Sequence, residues 1–258
     1  MNYLELPKPA CNALLSIAGR PIIGLAPMHG FTNSDFRLRC KKAGADLVYS
    51  EMVAAEAIIR HVPKALEMMK FVKTERPIII QIFGSDAQSM AQAAQIVETE
   101  YKPDGIDINF GCPVQKAGKQ GFGACQLKKI DNALGIVKSV SKVLKHTPLS
   151  MKIRLVSKEP KDTIAFVKKM RPYIKMVAIH GRTATQLYHG TVDWETIYEV
   201  KKSFPDLIVL GNGNIRSKED VSEKLGNLDG LLIGRAAKIK PEIFKELKMA
   251  ASLTETAK

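Results

Sequence analysis

Eight short apolar, β-branched runs recur along the chain, each parted from the next by a longer amphipathic stretch. The runs are PIIGLAP (21–27), ADLVYSEM (45–52), PIIIQIFG (77–84), GIDINFG (105–111), LSMKIRL (149–155), MVAIHGR (176–182), LIVLGNG (207–213) and GLLIGRA (230–236). Between them, segments such as SDFRLRCKKAG, DAQSMAQAAQIVETEY, DNALGIVKSVSKVLK and KDTIAFVKKM carry apolar residues at three- and four-residue steps, the spacing of a helix with one buried face. Continuously apolar strands are buried on both faces, which requires parallel strands with helical crossovers. Eight such units in about 230 residues fit a (β/α)8 barrel, typically near ~250 residues. An open doubly wound sheet is the rival, but the first strand has no GxGxxG fingerprint and there is no P-loop. The expected fold is therefore α/β, a (β/α)8 TIM barrel over residues 1–247, with residues 248–258 as a short flexible tail.

The runs end alike. Polar groups gather at the C-terminal end of nearly every one: Pro27-Met28-His29, Ser50-Glu51, Gln81, Asn109 and Cys112, Lys152 and Arg154, His180 and Arg182, Asn212, and Gly234-Arg235. In a barrel these ends converge on the face where active sites sit. LGNGNI and LIGRAA put glycines just after strands seven and eight, where barrels commonly bind phosphate through backbone N–H groups, and Arg235 adds a two-pronged donor. Lys152 and Arg154, two residues apart, share one side of strand five, with Lys152 in the barrel mouth and Arg154 one layer out. Gln81 offers a donor and an acceptor to a flat heterocycle. His180 is open to three readings: ligand contact, general acid or hydrogen-bonded core residue. The five histidines are scattered without paired carboxylates, so no metal site is expected.

Lys and Arg number 39 against 26 Asp and Glu, a net charge of +13, which favours a polyanionic partner such as nucleic acid. Four cysteines, Cys11, Cys40, Cys112 and Cys125, form no CxxC pair and no dense framework, which points to a reducing, cytoplasmic setting. The first residues make a poor signal peptide, and no run approaches the ~18 apolar residues of a membrane span. Cys11 and Cys40 fit buried, inert positions. Cys112 stands between Gly111 and Pro113, on a loop above the sheet with Lys116 and Lys119 nearby. Cys125 reads as a structural residue at the start of the next helix.

LAPMHGFTNSDFR, ADLVYSEMV, QIFG, IDINFGCPVQKAGKQGFGA, MKIR, IHGRTATQLYHGTVDW, GNGNI and IGRAA follow in order over residues 25–237. This set closely resembles the dihydrouridine synthase family of flavin-dependent RNA-modifying enzymes. The resemblance implies an FMN-bound barrel that reduces the C5=C6 bond of uridine in RNA, with NADPH (or NADH) as electron source. It implies that Pro27, Met28 and His29 lie against the flavin, that Gln81 and Lys152 contact its ring with His180 close by, and that Asn212, Gly213, Asn214, Gly234 and Arg235 hold its phosphate. Cys112 matches the family's proton donor, giving a proton to C5 while the flavin N5 gives a hydride to C6. Asn109, Arg154 and Arg182 match positions near the target uridine. Recognition should include base flipping, and a thiol that acts as an acid must be protonated, so the lysines around Cys112 read as contacts to RNA phosphates. Asn33 and Asn214 stand where the family often has Asp, near-isosteric changes that flavin binding should survive. Family members usually continue into a helical domain that grips tRNA, whereas here only PEIFKELKMAASLTETAK follows IGRAA. The default substrate is tRNA, with ribosomal RNA as an alternative. A flavin barrel acting on a small-molecule pyrimidine and a non-catalytic RNA-binding protein are the further alternatives.

Overall fold

The computed structural model of the protein describes residues 20–114, 118 and 120–255. Cys11, Lys116, Lys119 and residues 256–258 lie outside the described residues. All eight apolar runs are strands: β1 Ile22–Leu25, β2 Val48–Ala54, β3 Ile78–Phe83, β4 Gly105–Phe110, β5 Leu149–Leu155, β6 Met176–Thr183, β7 Ile208–Asn212 and β8 Gly230–Ile233. Each pairs in parallel with the next, and β8 pairs with β1, so the sheet closes in the order β1 to β8. Helices fill the crossovers, among them Ser34–Lys42, Ala87–Ile96, Ile130–Val143, Pro160–Met170 and Glu195–Ser203. This is the (β/α)8 barrel expected from the periodicity.

Two apolar bodies hold it together. Alternate strand residues such as Ile22, Tyr49, Ile79, Met176, Ala178, Leu210 and Leu232 fill the barrel interior. The opposite strand faces pack against the helices as one continuous outer core. The helix Ile243–Glu255 crosses the 247/248 position and buries Phe244, Leu247, Ala250 and Ala251 in that outer core. Cys40 is buried in it as well, and burial pushes its thiol up to about 12, so it stays protonated and inert.

Helix starts follow local chemistry. Asn33 caps Ser34–Lys42, its Oδ1 accepting the Phe36 N–H at 3.0 Å, and Asp86 caps Ala87–Ile96 in the same way through Ser89. Aspartate and asparagine are equally good N-caps, so an Asn at position 33 needs no flavin-related explanation.

The loop after β1, which carries Met28 and His29, is pinned from below by a buried ion pair. Arg37 and Glu75 are both essentially inaccessible and bonded to each other. Arg37 also donates to the carbonyls of Thr32 (2.8 Å) and Lys70 (2.7 Å), and Glu75 accepts from Ser34 Oγ and the Val72 N–H. Replacing Glu75 with Ala leaves a guanidinium buried without its counter-charge. The expected cost is about 3–5 kcal/mol, read as a lower urea midpoint at unchanged denaturant slope.

Candidate active site

The C-terminal mouth of the barrel opens into a cavity of about 490 Å³. Its lining comes from nearly every strand end: Pro27, Met28 and His29 after β1, Gln81 on β3, Asn109 and Cys112 from β4, Lys152 and Arg154 on β5, His180 on β6, Asn212, Gly213 and Asn214 from β7, and Gly234 and Arg235 after β8. These are the residues singled out from the sequence, except Ser50, Glu51 and Arg182: Ser50 Oγ is buried against the Gln81 N–H at 3.0 Å, and Glu51 accepts the Gly30 N–H. Arg182 does not line the cavity. It is 1% exposed and donates to the carbonyls of His189 (3.0 Å) and Gly190 (2.7 Å), to Asn214 Oδ1 at 3.4 Å and towards His180 Nε2 at 3.5 Å. The segment after β6 folds back over it, and Arg182 ties that segment to the β7 loop.

Several lining residues have no clear signal in the sequence. Met52 should point away from the interior by strict alternation from Tyr49, but a β-bulge between Tyr49 and Met52 shifts the β2–β3 register and turns Met52 to the cavity. Tyr188 stands at the mouth with Arg154 over its ring at 5.4 Å and Arg235 at 5.3 Å. Phe31, Arg216 and Lys238 complete the rim, with the Lys238 ammonium 3.8 Å from the Phe31 ring centroid.

The electrostatics are dominated by buried positive charge. Lys152 is half-buried in the cavity wall and donates to Asn212 Oδ1 at 3.1 Å, and Asn212 Nδ2 in turn bonds the Leu232 carbonyl at 2.7 Å. Burial, reinforced by Arg154, pulls the Lys152 ammonium down to about 8. Burial also drives His180 down to about 2, helped by Lys152, Arg154, Arg182 and Arg235. His180 is therefore neutral at physiological pH, which removes general-acid duty as an imidazolium from its three readings. Arg182 can only donate, so Nε2 of His180 accepts and its proton sits on Nδ1.

Asn214 has a left-handed backbone, φ 50°, a region that asparagine tolerates better than most residues. Its Oδ1 accepts from Arg235 at 2.6 Å as well as from Arg182. A neutral amide orients both guanidinium groups without cancelling their charge, so the rim beside β7 and β8 keeps its attraction for an anion.

Cys112 lies just past β4, partly exposed, on a turn fixed from three sides. Asn109 Oδ1 accepts the N–H groups of Gly111 (3.1 Å) and Cys112 (3.0 Å), Arg154 Nε donates to the Gly111 carbonyl at 3.0 Å, and the Ala124 N–H donates to the Cys112 carbonyl at 2.9 Å. Gly123 sits against it at φ +71°, where a Cβ would come within 2.7 Å of the Cys112 carbonyl oxygen. Gly123→Ala is expected to displace the turn and change the alkylation rate of Cys112, measured peptide by peptide, by about tenfold. Cys125 is different: it lies within the 3-10 helix Gly123–Lys128, its Sγ donates to the Phe122 carbonyl at 3.2 Å, and burial raises its pKa.

Among the described residues, no group of three or more His, Cys, Asp or Glu stands together as a metal site, and no helix is long and apolar enough to cross a membrane.

Fold and site together define a (β/α)8-barrel protein with a cationic, mixed polar and apolar ligand cavity at its C-terminal mouth and a thiol on one wall. Residues 24–258 match the family described as Dihydrouridine synthase (Dus), and the chain belongs to that family. It is 36% identical over 229 residues to a "Probable tRNA-dihydrouridine synthase" of Aquifex aeolicus, covering 87% of this chain and 72% of that protein. It is 36% identical over 228 residues to "tRNA-dihydrouridine synthase B" of Pseudomonas syringae pv. tomato, covering 87% and 67%. A "Probable tRNA-dihydrouridine synthase" of Mycobacterium tuberculosis is 34% identical over 257 residues, covering 95% and 66%.

Proposed function

We propose that the protein reduces the C5=C6 bond of uridine in RNA to give dihydrouridine, with FMN as cofactor, NADPH (or NADH) as electron source and tRNA as the substrate class. The observation that carries this reading is a family match over residues 24–258 in a chain whose cavity joins a loop-borne thiol to buried cations. The relatives' names supply the preference for tRNA.

The donor set fits FMN. A half-buried ammonium whose acceptor among the described residues is a neutral amide has room for an electron-rich partner, and Lys152 would meet the polar edge of the ring. Gln81 and the Nδ1–H of His180 would serve the same ring, with Pro27, Met28 and His29 against its face. Asn212, Gly213, Asn214, Gly234 and Arg235 would hold the phosphate, where the guanidinium and the nearby Lys238 concentrate positive charge. When bound, FMN supplies the hydride that adds to C6 of the uracil ring.

Cys112 supplies the matching proton. Its S–H bond breaks, C5 takes the proton, and the thiolate left behind recovers a proton from solvent. The target base must leave its stack to reach a cavity inside the barrel mouth. Asn109 and Arg154 are the side chains proposed to meet it, and both also seat the Cys112 turn, so base and acid share the same supports. Arg182 would act from behind, through His180 and Asn214. The net charge of +13 brings the RNA backbone to the mouth, and the setting that suits this substrate is the cytoplasm.

RNA binding measured against salt tests the electrostatic part. If about four phosphates are neutralised, affinity should fall roughly 10²-fold over a fourfold rise in salt. Binding indifferent to salt would remove the backbone contacts from the account. Reconstitution with FMN tests the redox part: the loaded protein should oxidise NADPH and convert uridine in an unmodified tRNA transcript.

A further inference from the structure

Asp107 is a fully enclosed carboxylate in the middle of β4, set beneath the cavity lining rather than in it. It shares the inward face of β4 with Asn109, opposite Gln81 on β3 and Ser150 on β5. Four hydrogen bonds lead from it to the thiol's turn. Gln81 Nε2 donates to Asp107 Oδ2 at 2.7 Å, Asn109 Nδ2 donates to Gln81 Oε1 at 2.8 Å, and Asn109 Oδ1 accepts the backbone N–H groups of Gly111 and Cys112. Ser150 Oγ satisfies the other Asp107 oxygen at 2.6 Å.

The direction of this chain is forced. An amide side chain can be turned either way, and nothing in Gln81 or Asn109 alone selects one orientation. An ionised carboxylate only accepts, so Gln81 must show it the NH2 group. The Gln81 oxygen then faces Asn109, which must answer with its own NH2, and this leaves the Asn109 oxygen for the two N–H groups of the turn. Burial pushes the Asp107 carboxyl up to about 6, while Ser150, Gln81 and Lys152 favour the charged form, so it is ionised at neutral pH.

We propose that Asp107 is the positioning residue for Cys112: it orients the Gln81 and Asn109 amides so that an acceptor always stands ready to seat the turn that carries the thiol. This rests on the reading of Cys112 as the proton donor.

A double-mutant cycle tests it. Asp107→Asn alone can still present an oxygen to Gln81 and turn its NH2 towards Ser150, so the direction survives. Asn109→Asp alone puts a second acceptor-only group against Gln81; whichever way Gln81 turns, two oxygens face each other. With both substitutions the middle of the chain simply reverses: Gln81 donates to the new carboxylate and accepts from the new amide. The readout is the rate at which iodoacetamide alkylates Cys112, followed by peptide mass spectrometry on protein shown by thermal melts to be folded. Asn109→Asp should shift that rate by about tenfold or more, the scale of one buried hydrogen bond left unmade, and the double variant should return it to within about threefold of the parent. Asp107→Leu, which removes the acceptor, should shift the Cys112 alkylation rate about tenfold and lower kcat for uridine reduction, compared at saturating FMN and RNA, by a similar factor. A double variant no closer to the parent than Asn109→Asp, or a folded Asp107→Leu protein with parental alkylation and kcat, would overturn the proposal. A parent protein that makes no dihydrouridine yet shows the expected alkylation pattern would sink the uridine-reduction reading and leave the positioning role standing.

Discussion

Cys112→Ala should abolish dihydrouridine formation, with turnover falling by about 10²–10⁴-fold, while FMN binding and its reduction by NADPH persist. The split follows from where the thiol stands. Cys112 is on the β4 loop, whereas the groups assigned to the flavin come from β1, β3 and β5 to β8. Removing one sulfur from the wall leaves that constellation intact and removes only the proton. Stopped-flow bleaching of the flavin by NADPH, beside nucleoside analysis of the RNA, separates the two half-reactions. Full activity in the variant would move the proton donor elsewhere. Cys125 would be the first alternative, although its thiol already bonds the Phe122 carbonyl and is raised by burial.

Lys152→Met should lower turnover by about 10²–10³-fold, the scale of losing one preorganised charge in a water-poor site. The same substitution should stabilise the free protein at neutral pH. The sign follows from the depressed pKa: the folded protein holds the ammonium near 8, against about 10.4 in an unfolded chain. The folded state thus bears a penalty that is fully present below about pH 8 and fades as pH rises towards the unfolded value. Thermal melts should show the variant above the parent at pH 7, with the gap closing across that alkaline window. A variant that is both less stable and fully active would show that Lys152 is a packing residue rather than an electrostatic one.

Much of this site could be read from the chain because strand ends in a closed barrel have nowhere to go but one face. Gln81, Lys152, His180 and Asn212 each interrupt an apolar run, and each lines the cavity. What failed to show in the sequence depends on contacts that strand periodicity does not encode. Arg182 shares the alternation of His180, but the return of the chain over β6 covers it. Met52 reaches the cavity only because a bulge breaks the alternation. Asp107 stands inside GIDINF, a run that reads as plain apolar strand. The signal was present, an acid two residues before Asn109 on the same face, but its meaning needs the neighbouring strands. Asn33, noted for replacing an Asp, belongs to a helix cap rather than to the cavity.

A barrel that reduces uridine in RNA, as proposed, leaves its product in the cell's RNA. Mass spectrometry of nucleosides from position-resolved tRNA and ribosomal RNA fragments, in a strain with the gene deleted and in one with it restored, tests this most directly. Dihydrouridine should disappear from one or more defined tRNA positions on deletion, return with the parent gene, and not return with Cys112→Ala. Loss confined to ribosomal RNA would keep the chemistry and change the substrate. Dihydrouridine unchanged in every RNA, in a strain without a second enzyme of this family, would contradict the account.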